Sequence, residues 1–157
     1  MSGGRRGAVR WLKSTSNRTF IVWPAALWLT AALLQGGVPT LNLWGVPLLV
    51  WGYAQYRWAG AYRTRLGGGG PGLSNPPQRL VTEGIYALTR NPMYLGHLVF
   101  FLGLAVLYSG PAWVVFVAHV FWFDQRARDD EAGLEGLFGA AYAAYRQRVR
   151  RWVPGVF

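Results

Sequence analysis

Residues 91–123 read NPMYLGHLVFFLGLAVLYSGPAWVVFVAHVFWF, a run without one Asp, Glu, Lys or Arg. It is too long for a single membrane span of about 20 residues, and Ser109-Gly110-Pro111 puts a turn signal in its middle. Upstream, residues 19–56 are equally free of charge and break at Gln35-Gly36-Gly37-Val38-Pro39. Each run reads as a helical hairpin, with spans over 20–34, 41–56, 93–108 and 111–123. The expected fold is all-α: a polytopic membrane protein with four transmembrane helices as two hairpins, plus a cytoplasmic C-terminal helix. Trp23, Trp44, Tyr56, Trp58, Tyr108 and Trp122 suit an interfacial belt of aromatics.

The charges are placed to match. The chain of 157 residues carries a net charge of +10, and all 16 Lys and Arg fall in residues 5–18, 57–90 and 126–151. The connectors near Gly36 and Gly110 carry none. Such alternation is the positive-inside pattern, and it puts both termini and the 57–90 loop in the cytoplasm. The basic balance then serves topology and attraction to membrane lipids with anionic headgroups rather than nucleic acid. There is no Cys, which excludes disulfides and thiolate metal sites. No metal site is expected.

Four regions follow in order: a basic cytoplasmic tail at 1–18, a first hairpin at 19–56, a cytoplasmic linker at 57–84, and a second hairpin with the C-terminal helix at 85–157. Residues 57–66 can continue the second span as a helical extension, until Gly67-Gly68-Gly69-Gly70-Pro71-Gly72 stops it. That glycine run lacks the Lys-Ser/Thr and the preceding strand of a phosphate loop, so it reads as a linker. In 126–150, Glu131, Leu134, Phe138, Tyr142 and Tyr145 share one helical face. Gly133, Gly136 and Gly139 weaken that helix, and Pro154 lies beyond its end.

Chemistry concentrates in residues 84–97. Asn91 before Pro92 signals a helix start, since Asn caps free N–H groups and Pro suits the first helical position. Arg90 adds a positive charge where the helix dipole is already positive. This is an anion site, or a capped helix beside a snorkelling Arg. Tyr94 and His97 lie three apart on one face, and Gly96 leaves room for a ligand or a close helix neighbour. A His within a span is a functional candidate, with a structural hydrogen bond as the alternative. His119 reads as a helix–helix contact.

Five of the six acidic residues lie between Asp124 and Glu135. Asp129-Asp130-Glu131 is either a solvated first helical turn or a cation site. If that helix packs back under the bundle, its carboxylates face Arg90 and Asn91. A ligand with a carboxylate at one end and a cation at the other would bridge them, as the methionine part of S-adenosylmethionine does.

The segment Arg90-Asn91-Pro92-Met93-Tyr94-Leu95-Gly96, followed by Asp130-Glu131, Leu134, Phe138-Gly139, Tyr142 and Tyr145, resembles the isoprenylcysteine carboxyl methyltransferase family. The phospholipid N-methyltransferases are similar over the same region, about residues 80–154. The resemblance implies a membrane methyltransferase using S-adenosylmethionine, with Arg90, Asn91, Tyr94, Leu95, Gly96, Asp130 and Glu131 lining the cofactor site. His97 joins them by position. The family usually has His where Asn91 stands and Glu where Asp130 stands. Asn keeps a hydrogen-bonding cap, and Asp keeps the charge on a shorter arm.

Methyl transfer from a sulfonium is an in-line displacement, so catalysis needs position and little water. A carboxylate acceptor would be held by an Arg, with Arg126 and Arg146 the candidates beside the acidic cluster. An amine acceptor must lose a proton, to Glu131 or His97. The lipophilic acceptor would enter from the bilayer. Two rivals are a sterol-reductase type of enzyme using NADPH, which shares an Arg-His-Pro-x-Tyr segment, and a non-enzymatic membrane scaffold.

Overall fold

A computed structural model describes residue 11 and residues 14–69 and 77–153. Most of the expected basic tail, the glycine run beyond Gly69 and Pro154 lie outside the described residues. A short helical turn, Thr15–Asn17, and a π-helical turn, Arg18–Val22, run directly into helix α1, Trp23–Gln35. Helix α2 is Gly45–Gly67, and a 3-10 turn, Gly84–Ala87, precedes α3, Pro92–Tyr108. Helix α4 is Pro111–Phe138 and α5 is Ala140–Arg148. No strand occurs among the described residues.

The all-helical expectation holds, but the four transmembrane helices do not. No described helix is long and apolar enough to cross a membrane. Helices α1, α3 and α5 have 13, 17 and 9 residues, against about 20 needed for a span. Helices α2 and α4 reach 23 and 28 residues, but their second halves are charged: Arg57, Arg63 and Arg65 in α2, and residues from Asp124 to Glu135 in α4. The turns at 36–44 and 109–110 cut the uncharged runs into short pieces, and the long helices gain their length from polar sequence. Even so, several large apolar side chains stand exposed, among them Leu33 (74%), Trp44 (80%) and Phe121 (72%).

Helices α2 and α3 run antiparallel at very close range. Gly45 and Gly52 on α2 face Gly103 and Gly96 on α3, and both pairs are spaced by seven residues, so each forms one stripe. A Cβ added at Gly52 would sit 2.5 Å from Phe100 N, and one at Gly96 would sit 2.8 Å from Gly52 O. The backbones touch, and Gly is the side chain that allows it. Leu27 of α1 and Ala112 and Phe123 of α4 form one core with Phe100, Phe101, Leu104 and Ala105 of α3. Each buried Leu or Phe contributes about 1.5–3 kcal/mol of burial free energy.

The expected continuous helix over 126–150 is broken. Gly139 has φ +48, a backbone conformation that favours glycine, and it separates α4 from α5. The bend folds Tyr142, Tyr145 and Val149 onto Leu80, Leu134 and Phe138. This brings Arg150 and Arg151 back over the connector that leads into α3.

Candidate functional site

Four pieces of chain converge around the first turn of α3. Gln55 of α2 donates from Nε2 to Pro92 O at 3.1 Å, which fixes α3's start against α2. Tyr145 of α5 donates its hydroxyl to Tyr86 O at 2.6 Å, tying the 3-10 turn to α5. Arg90 N donates to Arg150 O at 3.0 Å, and Thr89 Oγ1 donates to Arg151 O at 2.8 Å. The connector before α3 is therefore stitched to the segment after α5.

Between these pieces lies a partly open cavity enclosing about 110 Å³. Three guanidinium-bearing residues line it: Arg63 from α2, Arg79 from the connector and Arg90. Asn91 and Tyr94 line it from the start of α3, and Asp130 from α4. The rest is apolar or aromatic, including Leu80, Val81, Tyr86, Leu134 and Tyr145. The Tyr94 hydroxyl donates a short hydrogen bond to Asp130 Oδ2. Arg126 Nε lies 3.5 Å from Asp130 Oδ1. Burial raises the Asp130 carboxyl above its ordinary value, while Tyr94, Arg126 and Arg63 pull it part of the way back. Burial also pushes the Tyr86 phenol up to about 12.

Glu131 sits behind this wall and is buried. It accepts from Asn91 Nδ2 at 2.8 Å, and from Arg151 Nε and Nη2 at 3.1 Å each. Arg90 Nη2 lies 3.2 Å from its second oxygen. Two cations and an amide thus saturate one carboxylate, as a buried charge requires. Asn91 makes no side-chain cap bond on α3, because its amide is turned to Glu131. The expected Asn cap is replaced by a tie between α3 and α4.

The residues named from sequence therefore fall into three places. Arg90, Asn91, Tyr94 and Asp130 meet at the cavity. Glu131 holds two of them from behind. Leu95, Gly96 and His97 do not line the cavity. Gly96 is spent on the α2 contact. His97 is buried between Phe20 and Phe123, with ring centroids at 4.9 and 5.1 Å and nearly parallel planes. His119 is the expected inter-helix contact: it stacks on Phe101 of α3 at 3.9 Å and meets Trp23 of α1 edge-on. Among the candidate arginines, Arg126 borders the cavity through Asp130. Arg146 points elsewhere, pairing with Glu135 at 2.9 Å on the exposed side. The described residues hold no group of three or more His, Cys, Asp or Glu able to bind a metal.

Sequence reasoning missed Arg63, Arg79 and Arg151. Arg63 is one of three arginines on α2, and no local pattern separates it from the others. Arg151 acts across 20 positions on Glu131. An alternation of acids and bases gives no hint of that pairing before the Gly139 bend is known.

Residues 40–139 match the family model of phospholipid methyltransferases, well over half of the chain. The chain is also similar to curated proteins over about half of its length. It is 37% identical over 82 residues to a protein-S-isoprenylcysteine O-methyltransferase of Schizosaccharomyces pombe, covering 51% of this chain and 35% of that one. It is 39% identical over 80 residues to protein-S-isoprenylcysteine O-methyltransferase B of Arabidopsis thaliana, covering 50% and 41%. To the Mus musculus protein-S-isoprenylcysteine O-methyltransferase it is 35% identical over 77 residues, covering 48% and 27%. The alignments thus span less than half the length of these relatives.

Proposed function

The chain belongs to the phospholipid methyltransferase family, and on that premise we propose that it transfers a methyl group from S-adenosylmethionine to a lipophilic acceptor. One observation carries the reading: the start of α3 and the middle of α4 bring Arg90, Asn91 and Tyr94 to one cavity with Asp130. The donor set fits a zwitterionic sulfonium nucleoside. Guanidiniums of Arg63, Arg79 and Arg90 suit a carboxylate, Asp130 suits an ammonium or sulfonium, and the Tyr86, Leu134 and Tyr145 walls suit an aromatic base. The enclosed volume is smaller than such a molecule, so part of it would extend through the open side. The names of the relatives point to a prenylated cysteine carboxyl as the acceptor class.

When bound, the cofactor would supply an electrophilic methyl carbon for an acceptor oxygen, with sulfur as the leaving group that keeps the electron pair. The protein's share is position and electrostatics. Tyr94 and Arg126 hold Asp130 in one orientation, and Glu131 holds Arg90 and Asn91. The apolar walls exclude water, which would compete as nucleophile. A carboxylate acceptor needs no base, so neither Glu131, fully engaged as it is, nor His97, packed among rings, has to move a proton. The exposed apolar side chains of α1 and α4 support contact with the lipid phase that supplies such an acceptor.

Calorimetry on the purified chain in detergent tests the reading. S-adenosylmethionine should bind with one-to-one stoichiometry and raise the melting temperature, while NADPH should do neither. Binding of NADPH without S-adenosylmethionine would overturn it. Labelled methyl transfer to lipid extracts, followed by mass analysis, then identifies the acceptor.

A further inference from the structure

A second depression runs along α2 and meets the cavity at Met93, which lines both. We propose that this groove receives the polar head of the acceptor, that the head is an anion held by Arg57 and Arg65, and that Met93 partitions it from the cofactor. The inference rests on the cofactor reading of the cavity given above.

Arg57, Ala61 and Arg65 are spaced by four residues and share one face of α2. All three line the groove, together with Gly60. Gly60 and Ala61 leave the floor between the two arginines low, so a head group can lie between them. Arg90, Arg126 and Arg151 all pair with carboxylates, whereas among the described residues no acid pairs with Arg57 or Arg65. Arg65 lies over the Tyr62 ring at 5.6 Å, which orients its guanidinium without using its charge. A carboxylate complements two such cations, and an ammonium head is repelled by them. The groove thus separates the two acceptor chemistries that the cavity alone leaves open.

Met93 suits a partition. Its thioether is unbranched and flexible, and its Cε lies 3.4 Å from where a Cβ on Gly60 would stand. Its rotatable bonds give the side chain other rotamers to adopt when the groove is filled. A carboxylate seated between the arginines would then face the cavity across it.

The test uses the full chain in detergent with N-acetyl-S-farnesylcysteine and its methyl ester as paired probes, titrated without cofactor. The acid should bind at least tenfold more tightly than the ester. The double variant Arg57→Ala, Arg65→Ala should weaken the acid at least tenfold, leaving the ester and S-adenosylmethionine within twofold. Gly60→Leu should exclude both probes and spare the cofactor. Equal affinity for acid and ester, an undiminished preference in the double variant, or loss of cofactor binding in it would overturn the assignment. Failure of the wild-type chain to bind S-adenosylmethionine while the acid preference persists would instead remove the cofactor reading and leave the anion groove standing.

Discussion

Arg151 lays its guanidinium across both carboxylate oxygens of Glu131, Nε to Oε1 and Nη2 to Oε2, each at 3.1 Å. The contact joins the segment after α5 to the middle of α4, and Glu131 passes it on to Asn91 and Arg90 at the mouth of the cavity. The hydrogen bonds to Glu131 and its charge hold the Arg151 guanidinium above its ordinary value despite partial burial. The site is therefore built on an ion pair that does not itself line the cavity.

Removing that guanidinium should loosen the site from behind. Arg151→Ala leaves the buried Glu131 with Arg90 and Asn91 only. Because Arg151 is partly exposed and Arg90 remains, the cost should be about 2 kcal/mol, below that of fully breaking a buried pair. For a chain of this size that lowers Tm by roughly 4–8 °C. Arg151→Lys should recover only part of it, since an ammonium cannot bridge both oxygens. Differential scanning calorimetry of the two variants decides, and an unchanged Tm for Arg151→Ala would refute the clamp.

The glycines separate into two groups with opposite expected responses. Gly52→Ala places a methyl 2.5 Å from the backbone of Phe100, which only a shift of α2 against α3 can relieve. It should destabilise by about 3 kcal/mol. Gly133 lies within α4 with nothing within 4 Å of its added Cβ. Gly133→Ala should stabilise by up to about 1 kcal/mol, the helix propensity difference. Chemical denaturation of both variants checks the signs.

How far this architecture could be read in advance depends on the range of the interaction. The starts of α3 and α4 at Pro92 and Pro111 were legible, because proline and turn chemistry act locally. So was the meeting of Arg90 and Asn91 with the acidic cluster. The membrane spans were not. Hydropathy counts uncharged residues, while helix ends are set by turns such as Gly36 and by continuation into charged sequence after Tyr56 and Phe123. The Gly139 bend was also hidden, since a glycine at +48° and a glycine in a weak helix look alike in a sequence. Without that bend, Tyr145 cannot be placed on Tyr86, nor Arg151 on Glu131. Gly96 could be read as a close helix neighbour or as ligand space, and only Gly52 opposite it resolves the choice.

His97 offers a clean separation of packing from binding. It is sandwiched between Phe20 and Phe123 and also meets Tyr56 at 4.7 Å. His97→Phe keeps a flat ring in the stack and should leave the Kd for S-adenosylmethionine within twofold and Tm within a few degrees. His97→Ala removes the ring and should cost about 3 kcal/mol by the cavity it leaves. A tenfold loss of cofactor affinity in His97→Phe would return the imidazole to the binding site.

Asp130 should impose a pH dependence on binding. Its carboxyl titrates above the ordinary range because it is buried, with the Tyr94 hydrogen bond the largest influence holding it down. For the fold alone, a raised carboxyl favours the protonated protein, so its contribution to stability is present below the unfolded pKa and fades as pH rises through the folded one. Binding of a cationic ligand has the opposite sign, since only the ionised carboxylate attracts it. Affinity for S-adenosylmethionine should therefore fall as pH drops through the raised Asp130 pKa. Tyr94→Phe removes the restraining hydrogen bond, and the acid limb of the binding profile should move to higher pH. Asp130→Asn should abolish that limb and weaken binding at least tenfold at neutral pH. Isothermal titrations from pH 4 to 8 on the three proteins distinguish these outcomes, and an acid limb that stays in place in Asp130→Asn would assign it to another group.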